Sequence, residues 1–454
     1  MAGHRGAKRP SIFEVAKLAG VSHQTVSRVI NHSPNVAEAT RAKVEHAIAE
    51  LGYHPSNSAR SLASNRTRTV GMIAGGQRFY GPVSALASIE ATARAHGMFV
   101  SVAMVHEAEC TQQEFDDLCG MFMQQGVDAF IFLTPTDEMF KVACKSQVSQ
   151  PCVIITSSHG GVSVSEGLHM FNARQRRRVS LVGIDQWAGM ASVMRLIRKH
   201  GHRNVLFFAG PGQWRDASTR LMAWNKLCAQ NTVNSVTVQC GDDWESADAY
   251  RRMNHILDNI GSNGGRLPTC AVCSNDVMAI GVIRALLEHG VRVPDDMSVT
   301  GFDDMPGMSN LYPPLTTVRQ DFDDLGTMAM KEALFLMGEE AEPGYPNSQH
   351  GVGLVSADLI VRQSVRAVAA QVRVVRMRRS PCRSACAMGV YLEGSSVSAD
   401  FVFQPSTALT AQYPVTMMRQ MLRMMFDQLR RSPLALASTQ FWKSQMAQAT
   451  AVRA

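Results

Sequence analysis

His23, Gln24, Ser27 and Arg28 stand close together in the run His23-Gln-Thr-Val-Ser-Arg-Val-Ile30, and at helical spacing they share one side. Val26, Val29 and Ile30 take the other side. Imidazole, carboxamide, hydroxyl and guanidinium groups in that arrangement can exchange hydrogen bonds with base edges in a major groove. The spacing by itself leaves a blander reading open, in which these groups are the solvated face of a small helical bundle.

The elements that would position them are legible on either side. Ser11 followed by Glu14 is a capping-box pattern, so a helix starts there. Ile12, Val15, Ala16 and Ala19 give it one apolar face. Gly20 supplies a turn, and Ser22 is a good N-cap for the helix that carries His23 to Arg28. A third helix is predicted from about Glu38 to Leu51, with Val44, Ile48 and Leu51 inward, Gly52 at its end and Pro55 as a stop. This is a helix-turn-helix with a supporting helix. The preceding residues include Arg5, Lys8 and Arg9 without an acid, an arm suited to phosphates. No apolar core follows those charges, so no secretory signal is expected there.

The chain of 454 residues is long enough for more than one domain, and 45% apolar with 18% charged residues describes a soluble globular protein. No uninterrupted apolar run reaches the length of about eighteen residues that a membrane helix needs. The ten cysteines are expected as free thiols in a reducing compartment. Cys270 and Cys273 form a Cys-x-x-Cys pair, but Thr269 to Ser274 reads as a buried strand, on which residues three apart point to opposite faces. Cys382 and Cys386 lie in the tail and are no more persuasive as a metal pair. No metal, no other cofactor and no catalytic constellation is expected, and no phosphate loop is present.

From about Thr69 short apolar strands alternate with helices, as in Val70 to Ala74, Phe99 to Met104, Ala129 to Leu133, Val205 to Ala209 and Ala271 to Cys273. That alternation predicts parallel sheets covered by helices. The span suits two doubly wound lobes, with ligands at the strand carboxyl ends between them.

Several runs carry a further resemblance. Glu14-Val-Ala16, Ala19-Gly-Val-Ser22, Thr25-Val-Ser-Arg-Val29 and Leu51-Gly-Tyr-His-Pro55 occur in the order and spacing of the lactose-repressor family of bacterial transcription factors. Ala209-Gly-Pro211, Arg220 to Trp224, Ser274 to Ala279, Val299 to Asp304 and Pro313 to Phe322 extend the resemblance through the core, to about residue 366. It implies an all-α helix-turn-helix head (1–54), a hinge helix and linker (55–67), and an α/β core of two lobes resembling periplasmic binding proteins (68–366). The implied lobes are roughly 68–199 with 320–350, and 200–319 with 351–366.

The resemblance also implies a function. A repressor of this family binds a palindromic double-stranded operator as a homodimer and is switched by a small effector, here expected to be a sugar. His23, Gln24, Ser27 and Arg28 would read DNA, together with Asn57 and Leu62 of the hinge, where an apolar wedge can open a base step. Arg220, Asn275 and Asp303 would hold sugar hydroxyls, Trp244 would stack on the ring, and Phe79, Gln320 and Phe322 would line the wall. Taken singly, Asn275 and Asp303 read equally as helix caps, Trp244 as a packed aromatic, and Arg220 as the partner of Asp216 one turn away. The family's type member carries an Asp where this chain has Ala188, an Asn where it has Leu133 and a small polar residue where it has Gly75, so a galactoside does not follow. A purine or nucleoside effector is the rival. A plain sugar-binding protein is disfavoured by the head. Such a regulator is expected in the bacterial cytoplasm, associated with the nucleoid, and not at a membrane.

Two regions depart from the resemblance. Gly160 to Val179 is long, carries Arg174, Arg176, Arg177 and Arg178, and reads as a solvated loop. Residues 367–454 form a tail with eleven basic and three acidic residues, an excess larger than the whole net charge of +7. Met417, Met418, Met421, Leu422, Met425, Phe426 and Leu429 recur there at helical spacing, which would suit a docking helix or a tetramerising one. The lack of long leucine heptads favours an extension without a fold.

Overall fold

The computed structural model describes residues 10–30, 33–54, 66–263, 266–349 and 351–368, with three short strands beyond them. In the head, α1 (Ile12–Ala19), α2 (His23–Ile30) and α3 (Glu38–Leu51) enclose Val15, Ala16, Val26, Val29, Val44, Ala47 and Tyr53. The capping box is present, with Ser11 N–H donating to Glu14 at 2.6 Å and Glu14 N–H to Ser11 Oγ at 3.4 Å. Gly20 turns the chain at φ 66°, which glycine adopts without a Cβ penalty. Ser22 Oγ accepts from Thr25 N–H at 3.1 Å and caps α2. Ala37 gives α3 no side-chain cap, an omission that typically costs about 1 kcal/mol.

The first lobe is built on β1 (Thr69–Ala74), α4 (Tyr80–Ala95), β2 (Phe99–Met104), α5 (Gln112–Gln125), β3 (Ala129–Leu133), α6 (Asp137–Lys145), β4 (Cys152–Ile155), α7 (Val164–Met170), α8 (Ala173–Arg176) and β5 (Val179–Ile184). The second follows with α9 (Gln186–Lys199), β6 (Asn204–Ala209), α10 (Arg215–Asn231), β7 (Asn234–Gln239), α11 (Ser246–Asn263), β8 (Cys270–Cys273), α12 (Asp276–Glu288) and β9 (Ser298–Thr300). The chain ends the core with β10 (Thr317–Gln320), α13 (Phe322–Leu336), β11 (Asn347–Gln349), β12 (Val352–Val355) and β13 (Ala357–Ile360). The first sheet runs β11-β12-β5-β4-β3-β1-β2 and the second β7-β6-β8-β9, parallel throughout except at β11. Strands buried on both faces explain the near-continuous apolar runs in the sequence. Cys270 packs with Val272 on one side of its sheet and Cys273 with Ala271 on the other, as strand alternation requires.

The lobe boundaries differ from the expectation. Residues Val352–Val355 pair with β5 and belong to the first lobe, because their alternation continues its sheet. Helix α9 belongs to the second, since Met190, Val193, Met194 and Ile197 pack with Val205 and Phe207. The strand Thr317–Gln320 pairs with Ala357–Ile360 and bridges to the second sheet at Thr300 and Asp303. The chain therefore crosses between lobes beside Asp185, Gln320 and Val355.

The segment from Gly160 is also not a simple solvated loop. Ser163 with Glu166 and Asn172 with Gln175 cap two short helices. Val164 and Phe171 are buried in the first-lobe core, and these apolar residues are what fold the segment down. Arg176 and Arg177 remain exposed, and Arg178 donates to the Ser149 carbonyl at 2.6 Å. Beyond Val368, β14 (Val372–Val374), β15 (Cys386–Leu392) and β16 (Ser398–Phe403) pair antiparallel, rather than forming the featureless extension expected. The methionine-rich stretch lies outside the described residues, as do Asn57 and Leu62 of the hinge.

His202 fastens the end of the core. It is buried, with Nε2 donating to the Arg366 carbonyl at 3.0 Å and Nδ1 lying 3.0 Å from Thr269 Oγ1. Burial pulls its pKa down to about 4. The folded chain thus binds fewer protons here than the unfolded chain, and this contribution is present above the ordinary histidine value and lost as pH falls through it toward 4. The loss should reach about 3 kcal/mol. Urea unfolding at pH 7 and at pH 4.5 should show a stability difference that His202→Gln reduces. An unchanged difference would remove His202 from the explanation.

Candidate functional site

The head presents one polar face. His23, Gln24 and Arg28 are exposed and Ser27 is half-buried, while Val26 and Val29 are fixed in the core of the head. The His23 ring lies 5.2 Å from that of Phe13, so α1 sets its orientation. Three side chains with donors therefore project from the first turns of α2, where a recognition helix meets base edges.

The second candidate site lies where the lobes meet. Arg220, on α10, is 2% exposed. Its Nε donates to Gln186 Oε1 at 2.8 Å and its Nη1 to the Ser274 carbonyl at 2.5 Å. Nη2 lies 3.6 Å from Asp303 Oδ1 and 3.9 Å from Asp216 Oδ2. Asp303 Oδ1 also accepts from Gln320 Nε2 at 2.6 Å, and Gln186 Nε2 donates to Gln320 Oε1 at 2.8 Å. Gln186 and Gln320 stand on two of the three crossovers, so the buried charge network is tied to the segments that any lobe motion must bend. Asp303 adopts φ 115°, a region that L residues rarely occupy. Such strain persists only where the surroundings over-determine it, at about 1–3 kcal/mol. Burial raises the Asp303 carboxyl above the usual range, opposed by Arg220. Buried Asp276 is raised likewise, first by burial and then by Asp303.

Aromatic rings close one side of this network. Trp214 meets Phe79 edge-on at 4.7 Å and Trp244 at 5.8 Å. Gly210 lies so close that a Cβ there would sit 2.5 Å from the Trp244 ring. The Arg220 guanidinium lies 5.6 Å from the Trp244 ring centre and 3.9 Å from that of Phe302. Trp244 is consequently 7% exposed.

Next to Trp214, Arg215 reaches the other lobe. Its Nε donates to Thr156 Oγ1 at 2.7 Å, Nη1 to Asp137 Oδ1 at 2.6 Å and the Val162 carbonyl at 2.7 Å, and Nη2 to the Ser157 carbonyl at 3.1 Å. Ser157 and Asp216 share a further hydrogen bond across the same junction. Burial lowers the Arg215 pKa, and Asp137 opposes that shift.

The predicted residues thus separate. Phe79, Arg220, Trp244, Asp303 and Gln320 belong to one connected cluster. Asn275 adjoins it through Ser274 and also caps α12, its Oδ1 accepting from Met278 N–H at 2.8 Å. Phe322 stands apart, packed against Tyr80 at 5.7 Å and close to Gly81. Gly75, Leu133 and Ala188 contribute no polar group. At Gly75 a Cβ would lie 2.3 Å from Met139 Sδ, so a bulky apolar neighbour fills the space of a side chain. Sequence reasoning did not single out Gln186, Trp214, Arg215 or Asp137. Trp214 and Arg215 lie one helical turn or so before the motif run Arg220 to Trp224, but nothing in spacing pairs Arg215 with Asp137. Among the described residues no group of His, Cys, Asp and Glu suits a metal ion, and no helix is long and apolar enough to cross a membrane.

Known proteins match both the head and the core. The model of bacterial regulatory proteins of the lacI family matches residues 11–56, and that of the periplasmic binding protein-like domain matches 194–365. The lactose operon repressor of Escherichia coli K12 is 31% identical over 341 residues, covering 74% of this chain and 87% of that one. The helix-turn-helix transcriptional repressor PurR of Pasteurella multocida Pm70 is 29% identical over 368 residues, 78% and 98% of the two chains. The crystal structure of the Lac repressor dimer bound to operator and the anti-inducer ONPF superposes with a TM-score of 0.65 at 27% identity, covering 79% of this chain and all of that one. A helix-turn-helix head on a two-lobed core, matched over most of both lengths, places this chain in the lacI family of bacterial regulatory proteins.

Proposed function

We propose that this regulator represses transcription by binding a palindromic operator as a homodimer, and that a small sugar or sugar-like effector entering between the lobes changes its operator affinity. The observation that carries this reading is the buried Arg220–Asp303–Gln320–Gln186 network at the lobe crossovers. It alternates donors and acceptors, as vicinal hydroxyls require, and an indole stands beside it. Asn275 and Phe79 complete the proposed pocket, while Phe322, packed on Tyr80, is left outside it. The indoles of Trp214 and Trp244 would also suit a purine or nucleoside, which is the second reading. A homodimer is supported by the edge strand β2, which leaves Phe99, Val102 and Met104 57%, 42% and 36% exposed. An apolar edge of this kind needs a partner, and a two-fold dimer matches a palindrome. Action on DNA would place the protein in the cytoplasm.

On DNA, His23, Gln24, Ser27 and Arg28 are the proposed readers, with Asn57 and Leu62 of the hinge. An operator selected from randomised duplexes provides the test. Arg28→Ala should weaken binding to it by about 1–3 kcal/mol and relax preference at one base pair. Equal loss on selected and random duplexes would make Arg28 a phosphate contact instead.

For the cleft, a thermal-shift screen of the full chain against sugars and nucleosides should identify the effector class. Asp303→Ala should then abolish the response to that effector while leaving operator affinity without it within a few fold. Release from operator at the parent's effector concentration would show that the cleft assignment is wrong.

A further inference from the structure

We propose that Arg215 is an internal clasp, holding the two lobes closed on one another without any effector. The guanidinium belongs to α10 of the second lobe, and every polar partner of its side chain belongs to the first. Asp137 neutralises it, while Thr156, Ser157 and Val162 accept from it. Its side chain has no exposure and lies 4.1 Å over the Phe140 ring, also of the first lobe.

The surroundings are shaped to this one contact. A Cβ at Gly160 would lie 2.4 Å from both Arg215 Nη1 and Asp137 Oδ1, so a side chain there would displace the pair. Gly161 N–H and Val162 N–H donate to the two oxygens of Asp137 at 2.7 and 3.2 Å, holding the carboxylate toward the guanidinium. Thr219, one turn further along α10, donates to the His159 carbonyl at 3.1 Å. Two backbone hydrogen bonds span the same junction: Asp137 N–H to the Gln213 carbonyl at 3.1 Å, and Arg215 N–H to the Pro135 carbonyl at 2.9 Å.

The division of labour on α10 separates this device from ligand recognition. Arg220 bonds to Gln186, Ser274 and Asp303 around the proposed pocket, whereas Arg215 is fully committed across the junction. Opening the lobes strips a buried guanidinium of its carboxylate and its neutral acceptors together. Removing the guanidinium by substitution would leave the Asp137 carboxylate uncompensated at the closed junction, which is strongly destabilising for a buried pair. Closure is thus a property of the chain itself, and an effector adjusts an arrangement that already exists. The clasp stands whatever the effector proves to be.

Hydrogen exchange on the effector-free full chain tests this directly. The amides of Asp137 and Arg215 report opening of the junction, and those of Val153 and Phe207 report each lobe's own integrity. In the parent chain the junction amides should be protected. In Arg215→Met they should exchange on the order of 100-fold faster, with the core amides unchanged. Arg215→Lys keeps the charge without the fork and should fall between the two. Junction amides that are unprotected in the parent, or equally protected in Arg215→Met, would overturn the clasp. If Arg215→Met loses core protection as well, Arg215→Lys decides, and parent-like junction protection there would overturn it.

Discussion

Burying two guanidinium groups on one helix is the constraint around which the core is organised. Arg215 and Arg220 leave α10 near its start, 0% and 2% exposed. A buried charge is tolerated only when paired and hydrogen-bonded. Arg215 finds its partners in the first lobe and Arg220 in the second and its crossovers. Between them they fix where α10 can sit relative to both sheets. The close glycines follow from this placement, since Gly160 admits Arg215 and Gly210 admits Trp244.

The proposed coupling of cleft and head draws on the same geometry. Gln186 opens α9 directly after the first lobe's β5, and Gln320 ends β10 directly before α13 returns to the first lobe. Their carboxamides bond to each other and, through Gln320, to Asp303. A ligand that reorganises Arg220 and Asp303 therefore acts on the crossovers without an intermediary. The first lobe begins at β1, directly after the segment proposed as the hinge, so its orientation is what a bound operator would sense. Any coupling is limited to the effector's differential affinity for the two arrangements, typically about 1–3 kcal/mol.

Local chemistry made much of this legible in the sequence. The Ser11–Glu14 box, Gly20, Ser22 and Gly52 mark helix ends through contacts a few residues apart, and the head follows from them. Strand runs were equally readable, and the opposite facing of Cys270 and Cys273 needed only their alternation. The lobe boundaries were not readable, because Val352–Val355 and Ala357–Ile360 are short neighbouring strands and nothing local to either says which sheet it joins. The short helices after Gly160 were missed because four arginines masked the buried Val164 and Phe171. At the cleft, motif positions located Arg220, Asp303 and Gln320. Arg215 and Asp137 escaped because their pairing spans 78 positions and leaves no periodic trace.

In the proposed reading, effector binding and operator binding are linked through lobe arrangement. Reciprocity makes this measurable: the factor by which effector changes operator affinity must equal the factor by which operator changes effector affinity. Calorimetric titration of the effector into the free chain and into the operator-bound chain gives the second factor directly. Two different affinities are expected, in the ratio found from operator binding with and without effector. Equal effector affinities for free and operator-bound protein would contradict it.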